Sequence, residues 1–325
     1  MTVYQTYQAK GLREDLTDVI YNIAPYEVPL QSNAGKTKAK ATRHEWQSDT
    51  LASPDTGNAK VEGADAVIQT STATSRLSNI TQIMDKTVQV SGTLDAVDKA
   101  GRAKELAYQL VKRGRELKRD TEAILLANQA SSLGDATTAS KLGGLPSWIK
   151  TNVSRDTDGA SGGYSTSTAL TVAATDSTGS GRTFTETLLK GVMQSCFTNG
   201  GDPTILMVGP YNKGQFSNAT NFPGIATLRS NVAQNNKSSM ATVIGAADVY
   251  LGDFGTLQVV PNRFQRDRDA YLIDPEYVRV ARLRPLSHNE LAKTGDSEKR
   301  QIIQELTLEV GNEAALGVVA DLKTS

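Results

Sequence analysis

The sequence predicts an α+β fold in which much of the chain is extended and reaches outward. Three observations predict it. A polar, turn-rich segment from Gln47 to Thr74 lies between two strand-like flanks. It feeds into an amphipathic helix with a basic face, running from about Ala96 to Asn128. From Asp248 onward the apolar residues switch to a period of two. A hairpin arm followed by a long helix describes a part that meets neighbours. It does not describe a pocket that encloses a substrate.

Composition narrows the function classes. The chain has 325 residues, with 35 basic and 35 acidic side chains. That length supports a sizeable core. Zero net charge disfavours a globally basic nucleic-acid binder, though a local basic face remains open. Cys196 stands alone, which excludes a disulfide framework and a cysteine-based zinc site. No stretch approaches the roughly 18 apolar residues of a membrane span. Met1 to Lys10 is polar and lacks the apolar run of a signal peptide. A soluble protein made inside the cell is expected.

Residues 1–40 are expected to form an arm. Asp18 to Ile23 can make a short helix, which Pro25 and Pro29 end. Residues 41–92 are expected to form an extended hairpin. Lys38 to Trp46 reads as its first strand and Arg76 to Val90 as its second. Between them, Ser53-Pro54-Asp55-Thr56-Gly57 marks a turn in a stretch poor in apolar residues. An isolated hairpin is marginal in water, so this one should lie on something.

Residues 93–139 hold the helix. Ser91 or Thr93 offers an N-cap, and Asp95 and Asp98 suit the positive end of its dipole. Ala103, Leu106, Leu110, Leu117, Thr121 and Ile124 fall within an arc of roughly 60°. Ala107, Val111, Gly114 and Leu125 widen that stripe, and Lys112, Arg113, Arg115 and Arg119 lie outside it. At 1.5 Å per residue the rod is roughly 50 Å long.

Residues 140–245 read as a compact middle subdomain. Gly143-Gly144 and Pro146 precede Trp148 in a connector, and Asp156 to Arg182 is a polar loop region. Thr183 to Asn199 is a helix with Phe184, Leu188, Val192, Met193 and Cys196 on one face, stopped by Gly200-Gly201. Thr204 to Val208 reads as a buried strand, and Gly209-Pro210 starts another helix. Residues 246–325 read as a returning sheet. Val249 to Leu251 and Leu257 to Val260 flank the turn Gly252-Asp253-Phe254-Gly255. Tyr271 to Ile273 and Tyr277 to Leu283 flank Asp274-Pro275, and Leu306, Leu308 and Val310 alternate with Thr307 and Glu309. That sheet needs an apolar cover, and the helix stripe supplies one.

Motifs of catalysis fail on context. Gly35-Lys36-Thr37 is no phosphate loop, because the Walker glycine position is Leu30. Gly159-Ala160-Ser161-Gly162-Gly163 fits the pattern of a nucleophile elbow, but both flanks are polar loop. The histidines are His44, in the arm region, and His288, in an expected loop, which leaves a serine hydrolase at Ser161 as a weak alternative. Arg266-Asp267-Arg268-Asp269 reads as a solvated turn of alternating charge. No cofactor or metal is expected. The basic helix face has two readings. Lys112 with Glu116 and Lys118 with Glu122 suit a solvated face. The basic excess suits contact with a polyanion or an acidic neighbour, which keeps a nucleic-acid-binding module as the other alternative.

One combination of motifs is distinctive. It comprises His44-Glu45-Trp46-Gln47 with Asp49 and Leu51, then Arg76-Leu77-Ser78-Asn79, then Lys86-Thr87-Val88 with Val90-Ser91-Gly92-Thr93. Ala96-Val97-Asp98-Lys99-Ala100-Gly101, Glu105 to Leu110, Lys118-Arg119-Asp120 and Trp148-Ile149-Lys150-Thr151-Asn152 continue it, with a looser match at Asn199-Gly200-Gly201. The pattern resembles the SU-ten-type major capsid proteins of tailed phages. That resemblance implies the Hong Kong 97 fold: an N-terminal arm, an extended E-loop over 41–92, and a spine helix in a peripheral domain over 93–139. An axial domain over 140–245 and a peripheral return sheet over 246–325 complete it. It also implies a virion protein, made in the host bacterial cytoplasm, that assembles with itself as hexamers and pentamers of an icosahedral shell around double-stranded DNA. Packaged DNA would be held non-specifically, no membrane is involved, and portal, scaffold or decoration proteins are further partners. On this reading Ser53, Asp55, Asn58, Lys60 and Glu62 are expected at an inter-subunit contact. Lys112, Arg113, Arg115 and Arg119 are expected to face the shell interior or a neighbour.

Overall fold

The computed structural model describes residues 27–66, 68, 73–97, 104–218, 220–223 and 248–325. The helix expected at Asp18 to Ile23 lies outside them. In chain order, α1 (Pro29–Asn33) leads into β1 (Gly35–Lys38), β2 (Arg43–Ser48), β3 (Ser75–Ile80) and β4 (Gln82–Ser91). Next come α2 (Gly92–Ala96), α3 (Glu105–Leu125) and three short strands, β5 (Val153–Ser154), β6 (Gly163–Ser165) and β7 (Leu170–Val172). Then follow α4 (Glu186–Thr198), β8 (Ile205–Val208), α5 (Pro210–Phe216), β9 (Val249–Gly252) and β10 (Gly255–Pro261). The chain ends with β11 (Ala270–Ile273), β12 (Val278–Glu290), β13 (Ser297–Val310) and β14 (Gly317–Val319).

Two main sheets organise two hydrophobic clusters, the first of which also takes in Met207, Tyr271, Ile273 and Val318 from one face of the second sheet. The first sheet has the order β1-β12-β13-β4, and α3 lies on it. Leu117 and Leu125 share a cluster with Met84, Val280, Leu306 and Leu308. The Thr121 hydroxyl donates to Leu117 O at 2.7 Å and accepts from Gln304 Nε2, which fastens the helix to β13. The second sheet has the order β5-β14-β11-β8-β10-β9. It packs against Phe184, which precedes α4, and against Leu189, Val192, Met193 and Cys196 of α4. Burial pushes the Cys196 thiol up to about 12, so this cysteine is an inert core residue.

Several expectations need correction. The long helix is interrupted. Ser91 caps α2 as a separate turn, its hydroxyl accepting from Leu94 N at 3.3 Å, and Val97 is already extended. Asp95 serves a second start: its carboxylate accepts from Glu105 N at 3.1 Å. The 21 residues of α3 make a rod of roughly 32 Å. The buried stripe is also narrower, because Leu106 and Leu110 are half-buried and Ala107 and Val111 are exposed. The second flank of the hairpin is two strands, of which only β3 pairs with β2. β4 pairs along β13 instead. Residues 246–325 do not form one sheet. β9, β10, β11 and β14 join β8, whereas β12 and β13 join β1 and β4. His288 lies in β12 and not in a loop.

Arg266 to Asp269 is not a solvated turn. Asp269 is fully buried, accepts from the Tyr271 hydroxyl at 2.8 Å and lies 3.1 Å from Arg266. Arg266 also pairs with Asp176. Arg268 donates to Ser177 O at 2.9 Å and lies 3.6 Å from the buried Asp321. Asp321 in turn accepts from Ser177 N and Asp156 N, and Arg155 stands 3.7 Å away. These charges staple the 156–182 loop onto the second sheet.

Candidate functional site

The hairpin β2–β3 and the segment between its strands form the candidate site. Its root is rigid. Trp46 Nε1 donates to Val310 O at 2.9 Å, and His44 Nε2 lies 2.8 Å from Glu309. Trp46, Trp148 and Tyr164 line up in series, with ring centroids 5.3 and 5.5 Å apart. Asn79 is fully buried. It donates to Leu308 O at 2.7 Å and Gly143 O at 3.2 Å, and accepts from Gly143 N at 2.8 Å. Gly144 follows because a side chain there would meet Ala127 O. The residues of the distinctive motifs are therefore the ones that bolt the hairpin to the first core.

Beyond Ser48 the chain leaves the body. Every residue from Asp49 to Ala66 is exposed, including Ser53, Asp55, Asn58, Lys60 and Glu62. Asp55 closes a local turn by accepting from Gly57 N at 2.8 Å. Leu51, Val61 and Ile68 stand 100%, 80% and 95% exposed. None of the three belongs to either hydrophobic cluster. Out and back, residues 49–74 can reach roughly 40 Å from the end of the hairpin.

The basic residues of α3 form a second candidate surface. Lys112 and Arg115 are exposed, and Arg113 and Arg119 are half-buried. Neither expected i,i+4 pair is present. Glu116 takes Arg113 at 2.6 Å. Glu122 is buried and takes four donors: Leu30 N at 2.6 Å, Gln31 N at 3.2 Å, Gln31 Nε2 at 3.1 Å and Asn262 Nδ2 at 2.8 Å. Arg119 lies over the Phe264 ring, 5.9 Å from its centroid. The role of Glu122 is not legible in the sequence, since its partners lie 91, 92 and 140 positions away in the chain.

Ser161 is an exposed loop residue, His44 is engaged by Glu309, and His288 is exposed on β12. Among the described residues no three His, Cys, Asp or Glu side chains gather as a metal site. Among them, too, no helix is long and apolar enough to cross a membrane.

Comparison with known proteins places this geometry. The family described as SU10 major capsid protein matches residues 1–323. The major capsid protein of Escherichia phage Phieco32 is 30% identical over 351 aligned positions, covering 98% of this chain and 96% of that protein. Among solved structures, a chain from Mycobacterium phage Ogopogo superposes with a TM-score of 0.57 at 12% identity, covering 98% of this chain and 100% of its own. The capsid of a native GTA particle gives a TM-score of 0.60 at 11% identity, covering 98% and 97%. The chain belongs to the SU10 major capsid protein family and is a phage major capsid protein of the Hong Kong 97 fold, a structural protein of the virion and not an enzyme.

Proposed function

We propose that this protein assembles as hexamers and pentamers into an icosahedral shell that encloses double-stranded DNA. It is made in the host bacterial cytoplasm, and residues 49–74 act as the E-loop that lies across an adjacent subunit. The observation that carries this reading is the contrast between root and tip. The root is bolted into the core through Trp46, Asn79 and His44, while Leu51, Val61 and Ile68 stand in water. Ordering such a segment costs entropy, which burial against a neighbour offsets. Ser53, Asp55, Asn58, Lys60 and Glu62 supply its polar contacts. On the same reading, residues 93–139 and the strands β12 and β13 belong to a peripheral domain, and α4 with the second sheet to an axial domain.

Deleting Ser53 to Asp65 tests the reading. The variant is expected to fold, with an unchanged denaturation midpoint, and to elute as subunits or capsomers without forming shells. Shells of normal size and yield from this variant would show that the segment is dispensable for assembly.

A further inference from the structure

We propose that the α3 side of the first sheet is a composite surface for the phosphate backbone of double-stranded DNA, built from α3 together with β1 and β12. The proposal rests on the shell-forming reading above and adds cations that lie outside the helix. Sheet register places them. Gln304 bonds to Thr121 of α3, so its side of β13 is the helix side. Leu306 and Leu308 follow at two-residue steps and share that side. Leu308 lies opposite Val280, and Leu306 opposite Arg282. β1 then runs parallel to β12, with Lys36 beside Val280 and Lys38 beside Arg282. Lys36, Lys38 and Arg282 therefore stand on the helix side, at the sheet edge, and all three are exposed.

The carboxylates of this region are engaged elsewhere. Glu116 pairs with Arg113, Asp120 pairs with Lys86 at 2.7 Å, and Glu122 is buried beneath α1. Glu305 and Glu309 point from the opposite side of β13, toward Arg284 and toward His44 and Arg279. No described carboxylate pairs with Lys36, Lys38, Lys112, Lys118 or Arg282. On α3, Lys112, Arg115 and Arg119 share one stripe at 100° per residue. β1 stands about 10 Å from β13, two strand spacings away, so cations flank the helix as well as line it. Positive charge spread over three elements, with neither an enclosing pocket nor base-stacking aromatics among those positions, suits phosphates without reading sequence.

The test is the triple variant K36Q/K38Q/R282Q, read in two ways. Binding of the unassembled full-length protein to a random 30-base-pair fluorescent duplex is followed by anisotropy across about 50–200 mM salt. The slope of log affinity against log salt is expected to become shallower by roughly 1–3, at about 0.9 for each phosphate no longer neutralised. Shells of the variant are expected to form normally and to retain less DNA. Wild-type affinity and slope would overturn the proposal. So would failed assembly with unchanged duplex binding, which would assign these cations to an acidic surface of a second copy, such as its segment bearing Asp49, Asp55, Glu62 and Asp65. The charge-keeping variant K36R/K38R/R282K is expected to match wild type, and a loss of duplex binding there would overturn the charge argument. Failure of the shell-forming reading shows separately, as normal assembly of the Ser53 to Asp65 deletion.

Discussion

Glu122 joins three parts of the chain through one carboxylate. Its acceptor oxygens hold the first turn of α1 and the Asn262 side chain that follows β10, while its own backbone belongs to α3. All four donors are neutral. Glu122→Ala leaves the buried Leu30 N–H and Asn262 amide unanswered, which is expected to cost about 1–3 kcal/mol in a urea titration. Acidity gives a second test. Burial pushes this carboxyl above its ordinary 4.5. The folded protein then keeps the proton at a higher pH than the unfolded chain does. The resulting stabilisation is fully present below about pH 4.5 and is lost as pH rises through the folded value. Glu122→Gln carries no titrating proton, so its midpoint is expected to fall less than that of wild type across this window. Parallel curves for the two proteins would contradict this assignment.

At the scale of elements, α3 decides the first core. Leu117 is 1% exposed and Val111 is 60% exposed, although both fall within the apolar stripe of the sequence. Leu117→Ala is expected to cost about 2–5 kcal/mol, and Val111→Ala close to nothing. Leu110→Ala should fall between them, because Leu110 is only partly buried against that core. Equal losses at 111 and 117 would show that the helix packs on a different face. Elements with local signals are legible in the sequence. The β9–β10 turn, α4 with its stop at Gly200, β8 and α5 all appear where glycine, proline and apolar period place them. Sheet membership is not legible. β11 and β12 are separated by four residues, Asp274 to Tyr277, and look like a hairpin, yet they enter different sheets. Periodicity reports that a strand has a buried face and says nothing about its partner. The break between α2 and α3 is hidden for the same reason, since the second start depends on Asp95 reaching Glu105.

Across the whole molecule, two hydrophobic clusters support a segment that is exposed throughout residues 49–66. The segment is legible because poor apolar content is a local property of 47–74. The bolts at its root are legible as motifs, but their physical role is not: Asn79 and Trp46 act on Leu308 and Val310, which lie 229 and 264 positions away. The cations of β1 are hidden as well, because Gly35-Lys36-Thr37 reads first as a failed phosphate loop and its position at a sheet edge depends on β12. Electron cryomicroscopy of shells assembled from the purified protein tests the central claim most directly. The account predicts closed shells in which residues 49–74 lie across the neighbouring subunit, with Leu51, Val61 and Ile68 buried there. Shells in which that segment projects into solvent, touching no other subunit, would contradict it.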